Sequence, residues 1–272
     1  MKIALLQYKI VWADIQANLR LLEQRLAAIA GQADVAILPE MFSTGFCIDQ
    51  PDLAEPLDGL TVKTLERLAR QYDIAIVGSF IAKEERPKIH DEGDFSDSKS
   101  QINYNMGFFI TPQQSYFEPK RHLFARAGEQ RYFTAGQKRM TVEYKGVKFC
   151  LQICYDLRFP VWSRNATGFD YDVLIYVAAW PVERIPWWDN LLVARSIENQ
   201  CIVCGVNSVG IDGNNIAYPG HSTIIDTRLQ HLVDFAENEE GTRIAELDID
   251  ALHHFRDRCP MYREADKFEF KF

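Results

Sequence analysis

The spacing of apolar and polar positions divides the first third of the chain into alternating strands and helices. Three short apolar runs have the length and composition of buried strands: residues 2–7, 34–38 and 74–81. Two longer segments repeat apolar residues at helical spacing: 14–29 and 60–72. Strands that alternate with helices predict a sheet with parallel pairing and with helices packed outside it.

The rest of the chain is predicted to be richer in strands. Two strands within 102–117 flank a turn at 111–114, and strands 140–144 and 147–153 flank Lys145-Gly146. Four further strands and one helix follow: strands 173–177, 201–209, 222–226 and 229–236, and a helix over 186–200. So many strands with few helices predict an α/β fold in which two β-sheets pack face to face with the helices outside.

We expect a single domain over residues 1–272, because the sequence contains no internal repeat and no linker rich in Pro, Gly or Ser. A chain of 272 residues is long enough to bury a sizeable core. One polar segment, 84–100, carries many charges and has almost no apolar periodicity. It is predicted to be a loop between strands, either a solvated turn or a lid over a site.

Composition excludes several classes of function. The formal net charge is -8, so the chain lacks the basic face of a nucleic-acid-binding protein. No stretch approaches about 18 consecutive apolar residues, so no segment is expected to span a membrane. The N-terminus turns polar too soon for a signal peptide, and we therefore expect a cytoplasmic protein.

Cysteine spacing argues against disulfides and metal. The six cysteines match no disulfide framework, and a chain of this length does not need one. Cys201 and Cys204 form a CxxC pair, but they lie in an apolar run that resembles a strand. No second Cys or His pair stands at zinc-ligand spacing, so no metal site is expected.

Cys154 is the most informative residue of the sequence. It ends the apolar run 147–153 and is followed at once by a polar segment that contains Asp156 and Arg158. This pattern places the thiol at a strand end, where reacting side chains of layered α/β folds meet their ligands. The alternative is a cysteine that only packs in the core, since free cysteines are among the most buried residues. The functional interpretation therefore needs partners elsewhere in the chain.

Three charged residues follow strands in the same way: Glu40, Lys120 and Glu129. Each of them could also be an ordinary surface charge. Together with Cys154, however, they supply a nucleophile, a base and a cation. A neighbouring ammonium lowers the pKa of a thiol, and a carboxylate accepts the thiol proton during attack. An ammonium and a backbone N–H also stabilise the oxyanion that forms when a thiolate attacks an amide.

These residues lie in motifs that resemble those of the carbon–nitrogen hydrolase (nitrilase) superfamily. The motifs are PEMF at 39–42, KRHLF at 120–124 and CYDLRFP at 154–160. The similarity runs nearly end to end, through AAWP at 178–181, ARSIENQ at 194–200, GVN at 205–207 and GHS at 220–222. The form that these motifs take in this chain, with Trp180-Pro181, most resembles the motifs of the bacterial omega-amidase branch.

The resemblance implies a four-layer αββα sandwich that pairs through its outer helices into a homodimer. It implies that Glu40 is the general base, Lys120 the stabiliser of the oxyanion and Cys154 the nucleophile. Glu129 matches a fourth glutamate of the family, and the backbone N–H of Tyr155 would complete the oxyanion hole. No metal or organic cofactor is implied.

Three further residues are candidates for binding the substrate: Phe124, Arg158 and Trp180. Trp180 and Phe124 could equally be core aromatics. For Arg158 we favour a structural pairing with Asp156, since an arginine fork suits a buried carboxylate. A structural role is also expected for His221, for the helical pair Arg195 and Glu198, and for the tryptophans at 187–188, which could also contribute to a dimer interface.

The sequence thus predicts a cysteine amidase that hydrolyses a small-molecule substrate, an ω-amide of a dicarboxylic acid such as 2-oxoglutaramate, through a thioester. Alternatives with the same chemistry act on a nitrile, an N-carbamoyl amine or an aliphatic amide. An alternative of another class is a binding protein that has kept the fold without activity.

Overall fold

The computed structural model describes residues 1–85, 101–166 and 168–271. The strands in chain order are β1 (Lys2–Gln7), β2 (Val35–Ile37), β3 (Ala75–Glu85), β4 (Gln101–Ile110), β5 (Ser115–Pro119), β6 (Met140–Tyr144), β7 (Val147–Ile153), β8 (Val173–Ala178), β9 (Ile202–Asn207), β10 (Val209–Ile211), β11 (Ala217–Pro219), β12 (Thr223–Ile225), β13 (His231–Asp234) and β14 (Gly241–Glu246). The α-helices are α1 (Ile15–Ala28), α2 (Leu60–Tyr72), α3 (Pro160–Ser163), α4 (Ile185–Asn199) and α5 (Ile249–Arg258).

The strands form two six-stranded sheets and one small hairpin. The first sheet has the order β14-β1-β2-β3-β4-β5, and β2 runs parallel to both β1 and β3. The second has the order β13-β12-β9-β8-β7-β6, and β7, β8 and β9 are parallel. Within the described ranges, β10 and β11 form a separate antiparallel pair. Both sheets therefore have a parallel centre with antiparallel edges.

The two sheets bury their inner faces against each other. One apolar cluster joins Ile37 and Phe109 of the first sheet to Phe149 and Ile175 of the second. The rings of Phe109 and Phe149 lie 5.3 Å apart between centroids. Helices cover the outer faces, as in the predicted four-layer αββα sandwich, which is confirmed.

The outer helices are held by their apolar faces. Leu22 of α1 and Leu65 of α2 belong to a second cluster, with the outward-facing residues of the first sheet. On the other side, α4 lies so close to β9 that a Cβ at Gly205 would come within 2.5 Å of Leu192 and 2.9 Å of Trp188. The absence of a side chain at Gly205 therefore permits this close contact.

The predicted elements agree with the structure except in a few places. The predicted strand 74–81 extends to Glu85, so the first two residues of the predicted 84–100 loop belong to β3. The rest of that segment, 86–100, lies outside the described residues, and so does the predicted turn or lid. The run 201–209 is divided between β9 and β10 at Ser208. Strands β11 and β14 and helices α3 and α5 were not predicted.

No helix in the described ranges is both long and apolar enough to cross a membrane.

Candidate active site

The four predicted site residues follow strands whose ends meet at one edge of the sandwich. Glu40 comes three residues after β2, and Lys120 directly follows β5. Cys154 directly follows β7 in the other sheet, and Glu129 begins a short 3₁₀ turn beyond Lys120. The carboxyl ends of parallel strands share one edge, so the two sheets present these residues to each other. The structure brings all four together.

Lys120 lies at the centre of this cluster. Its Nζ donates to Glu40 Oε1 at 2.9 Å and to Glu129 at 2.8 Å (Oε2) and 3.1 Å (Oε1). All three side chains are fully buried. A buried ammonium between two carboxylates is fixed in position and cannot exchange its partners for water.

Further donors fix the two carboxylates. Asn105 Nδ2, on β4, donates to Glu40 Oε1 at 2.8 Å and to Glu129 Oε1 at 3.3 Å. The Ala179 amide, just after β8, donates to Glu40 Oε2 at 2.9 Å, which connects the two sheets at the site. Neither Asn105 nor Ala179 was predicted from the sequence. The only signal for Asn105 was a polar residue within an apolar strand.

Burial and charge together set the protonation of Lys120. Burial by itself lowers the pKa of this ammonium, but the carboxylates of Glu129 and Glu40 outweigh that effect and raise the pKa well above its usual value. Burial also raises the pKa of Glu129, partly opposed by the charge of Lys120. Lys120 therefore remains a cation, which its predicted role as oxyanion stabiliser requires.

Cys154 occupies a strained backbone position beside this cluster. Its φ is 45°, in the left-handed region that non-glycine residues rarely adopt. Such a sharp strand-to-helix turn presents a side chain at the end of a sheet. Burial, and then the negative charge of Glu40, raise the pKa of the Cys154 thiol well above its usual value, although Lys120 acts in the opposite direction. The resting residue is thus a neutral thiol beside Glu40.

Asp156 holds the turn after Cys154, but through partners other than the predicted Arg158. The Asp156 carboxylate accepts hydrogen bonds from the amides of Ile153 at 3.0 Å and His122 at 2.9 Å, and from His122 Nδ1 at 2.8 Å. The His122 ring stacks on Phe159, with centroids 3.6 Å apart. Among the described residues Arg158 makes no ion pair with Asp156. The expected Arg158–Asp156 pairing is therefore wrong, and His122 takes that place.

Cys154 and Lys120 open into a small pocket with a volume of about 70 Å³. The three tentative substrate-binding residues, Phe124, Arg158 and Trp180, all line it. The Tyr155 amide lies in the first turn of the 3₁₀ helix that starts at Cys154, where backbone donors have no partner within the helix. The sequence analysis did not identify three other lining residues: Arg184, Ile216 and Tyr218.

The residues expected to be structural lie outside this pocket. Arg195 pairs with Glu198 at 2.9 Å along α4. His221 Nδ1 lies 3.2 Å from Asp189, and its carbonyl accepts from Trp188 Nε1 at 2.9 Å.

The described part of the chain offers no metal centre. Within it, no group of three or more His, Cys, Asp or Glu side chains is arranged to hold a metal ion. Burial raises the pKa of both CxxC thiols, Cys201 and Cys204, so both remain protonated.

Comparisons with known proteins agree with this architecture. The carbon-nitrogen hydrolase family model matches residues 2–257. The chain is 38% identical to Omega-amidase YafV of Escherichia coli over 270 residues, which is 98% of each chain. It is 32% identical to the 2-oxoglutaramate amidase of Bacillus subtilis over 266 residues, which is 97% of each.

A solved structure is similar over the whole length. The crystal structure of XC1258 from Xanthomonas campestris, a CN-hydrolase superfamily protein with an arsenic adduct in its active site, has a TM-score of 0.90 and 35% identity, covering 100% of this chain and 99% of that one. The chain therefore belongs to the carbon–nitrogen hydrolase family. The predicted resemblance to the omega-amidase branch is confirmed by these relatives.

Proposed function

We propose that this protein hydrolyses small ω-amides of dicarboxylic acids, such as 2-oxoglutaramate, through a thioester on Cys154. The chain is an amide-hydrolysing enzyme, because it belongs to the carbon–nitrogen hydrolase family and its amidase relatives are 32% and 38% identical to it. The observation that supports the mechanism is the buried contact of Lys120 with Glu40 and Glu129 beside a thiol that faces the pocket.

Acylation begins with the transfer of the thiol proton of Cys154 to Glu40. The sulfur attacks the carbonyl carbon of the amide, and the carbonyl oxygen becomes an oxyanion. The Lys120 ammonium and the Tyr155 N–H stabilise this charge, an effect worth about 3–4 kcal/mol for each well-placed donor. Glu40 then protonates the nitrogen as the C–N bond breaks, so that ammonia leaves and a thioester remains.

Deacylation uses the same groups. Glu40, again a carboxylate, accepts a proton from a water molecule that attacks the thioester carbonyl. Lys120 and the Tyr155 N–H stabilise the second oxyanion. When the C–S bond breaks, the sulfur takes the proton back from Glu40, and the free acid is released. Glu129 and Asn105 do not react in this scheme; they hold Lys120 and Glu40 in place.

The substrate assignment rests on the relatives and on the pocket. Two relatives carry the names omega-amidase and 2-oxoglutaramate amidase. The pocket is small and mostly apolar, and it contains the guanidinium of Arg158, which suits a short acyl group with a free carboxylate.

A substrate panel tests this function. Ammonia release from 2-oxoglutaramate is measured beside an aliphatic amide, an N-carbamoyl amine and a nitrile. We expect 2-oxoglutaramate to have the highest kcat/KM. Cys154→Ala and Glu40→Gln should lower turnover by on the order of 10³-fold or more, because each removes a group that reacts.

The matched control is Cys259→Ala, which removes an exposed cysteine at the end of α5 and should leave turnover unchanged. A higher kcat/KM for another member of the panel would reject the proposed substrate class. Normal turnover by Cys154→Ala or Glu40→Gln would reject the mechanism.

A further inference from the structure

Two arginines of the pocket carry charges that no carboxylate of the described residues neutralises. Arg158 lies in the turn after Cys154, and Arg184 ends the 3₁₀ turn Val182–Arg184 after β8. Both are half-buried and line the pocket. Neither forms an ion pair within the described part of the chain. The buried Arg256, by contrast, pairs with Asp172 at 2.9 Å.

Aromatic rings hold both guanidiniums without neutralising them. Arg158 Cζ lies 4.1 Å from the ring centroid of Trp187 and 5.7 Å from that of Trp180. Arg184 Cζ lies 5.3 Å from the centroid of Phe124. A ring face attracts the cation without accepting a conventional hydrogen bond, so the N–H donors of the guanidinium remain available to a ligand. Trp187, which is half-exposed, is therefore a positioning residue for Arg158.

The charge balance of the pocket is positive. Its described lining includes no Asp or Glu side chain, and three cations: Lys120, Arg158 and Arg184. Glu40 and Glu129 both pair with Lys120, so three cations stand against two carboxylates and one positive charge is in excess. Because Lys120 binds both carboxylates, the two arginines have no anionic partner among the described residues in a partly desolvated site, and an anionic group of a ligand is their natural partner.

We propose that Arg184, together with Arg158, binds the free carboxylate of the substrate, so that the enzyme selects monoamides that carry an acid over neutral amides of the same length. This inference rests on the proposed amidase function and adds Arg184 as a specificity-determining residue. Binding of the distal carboxylate also orients the amide end toward Cys154, because both groups belong to one short molecule.

Matched substrates test the inference. Glutaramate carries the carboxylate, and pentanamide has the same chain length with a methyl group instead. For Arg184→Met we expect kcat/KM for glutaramate to fall about 10- to 100-fold, mainly through KM, because a charge-assisted hydrogen bond is lost. The kcat/KM for pentanamide should change less than about threefold. Arg184→Lys should recover part of the loss, because it keeps the charge without the fork.

The control is Arg126→Met, which removes an exposed arginine near the pocket that does not line it. This substitution should leave kcat/KM unchanged for both substrates. Equal losses for glutaramate and pentanamide in Arg184→Met, or no loss for glutaramate, would overturn the inference while the amidase function stands. If the wild-type enzyme hydrolysed neither substrate, that result would instead overturn the proposed function.

A binding measurement tests the contact of Arg184 with the carboxylate independently of the proposed amidase function. Calorimetric titration of the Cys154→Ala protein with glutarate needs no turnover. We expect binding that the added Arg184→Met substitution weakens about 10- to 100-fold and that Arg184→Lys weakens less. Equal glutarate affinity with and without Arg184 would contradict the proposed contact, whatever the enzyme hydrolyses.

Discussion

The protonation of Cys154 decides which residue starts the reaction. From the sequence, a neighbouring ammonium was expected to lower the pKa of this thiol. In the structure, burial and the charge of Glu40 raise that pKa, and Lys120 only partly opposes them. A thiol with a raised pKa is neutral near pH 7, so in the proposed mechanism the sulfur becomes nucleophilic only as Glu40 removes its proton. That mechanism therefore needs Glu40 for every acylation.

Asp156 connects the segment that carries Lys120 to the turn that carries Cys154. It is buried and accepts three hydrogen bonds, two of them from His122. We expect Asp156→Asn to lower the free energy of unfolding by about 2–4 kcal/mol, because a buried charge-assisted contact is lost. We also expect kcat to fall about 10- to 100-fold as the turn at Cys154 shifts. Denaturant unfolding measures the loss of stability, and steady-state kinetics measure the change in kcat.

Asp170→Asn is the control for Asp156→Asn. Asp170 pairs with Lys148 at 2.7 Å on the surface, so its substitution should cost less than about 1 kcal/mol and leave kcat unchanged. Equal stability losses in the two variants would show that the His122–Asp156 contact does not hold the site.

Sequence reasoning located the main site residues because each follows an apolar strand. Glu40, Lys120 and Cys154 stand at such positions and lie together in the structure. Asn105 was missed because it lies inside β4, where a single polar residue gives no local signal of its partners. Arg184 was missed because the sequence around it does not show its position in the pocket. The fold alone brings it into contact with Phe124, which is 60 positions earlier in the chain.

At the scale of elements, local periodicity predicted most strands and the long helices. It failed where pairing is distant or the segment is polar. Strand β14 pairs antiparallel with β1, from the opposite end of the chain, and none of its residues is fully buried. Helix α5 has a short apolar face, and Arg256 anchors it to Asp172 and to the Gln200 carbonyl. Neither contact has a signature in the sequence around it.

At the scale of the whole molecule, one outer surface has the composition of an interface. Val161 of α3 lies with Met261 and Phe268 around a shallow depression next to Glu198 of α4. All three are exposed, and Ile197 of α4 is 54% exposed. Exposed apolar side chains grouped in this way are typical of a protein–protein contact. We propose that the predicted homodimer forms through this surface.

Light scattering after size-exclusion chromatography checks the dimer. We expect the wild-type protein to have twice the mass of one chain, and Ile197→Lys to shift it to the monomer, because a buried lysine must be desolvated. Leu60→Lys, on α2 of the other outer layer, should leave the dimer intact. A wild-type monomer would reject the dimer, and an intact dimer in Ile197→Lys would place the contact elsewhere.

The most direct test of the central claim is to trap the acyl-enzyme. The protein is mixed with 2-oxoglutaramate, quenched in acid and analysed by mass spectrometry of the intact chain and of its peptides. We predict a mass increase equal to the acyl group on the peptide that contains Cys154, and no increase in Cys154→Ala. Ammonia release without any adduct on Cys154, or an adduct on another residue that turns over, would contradict the account.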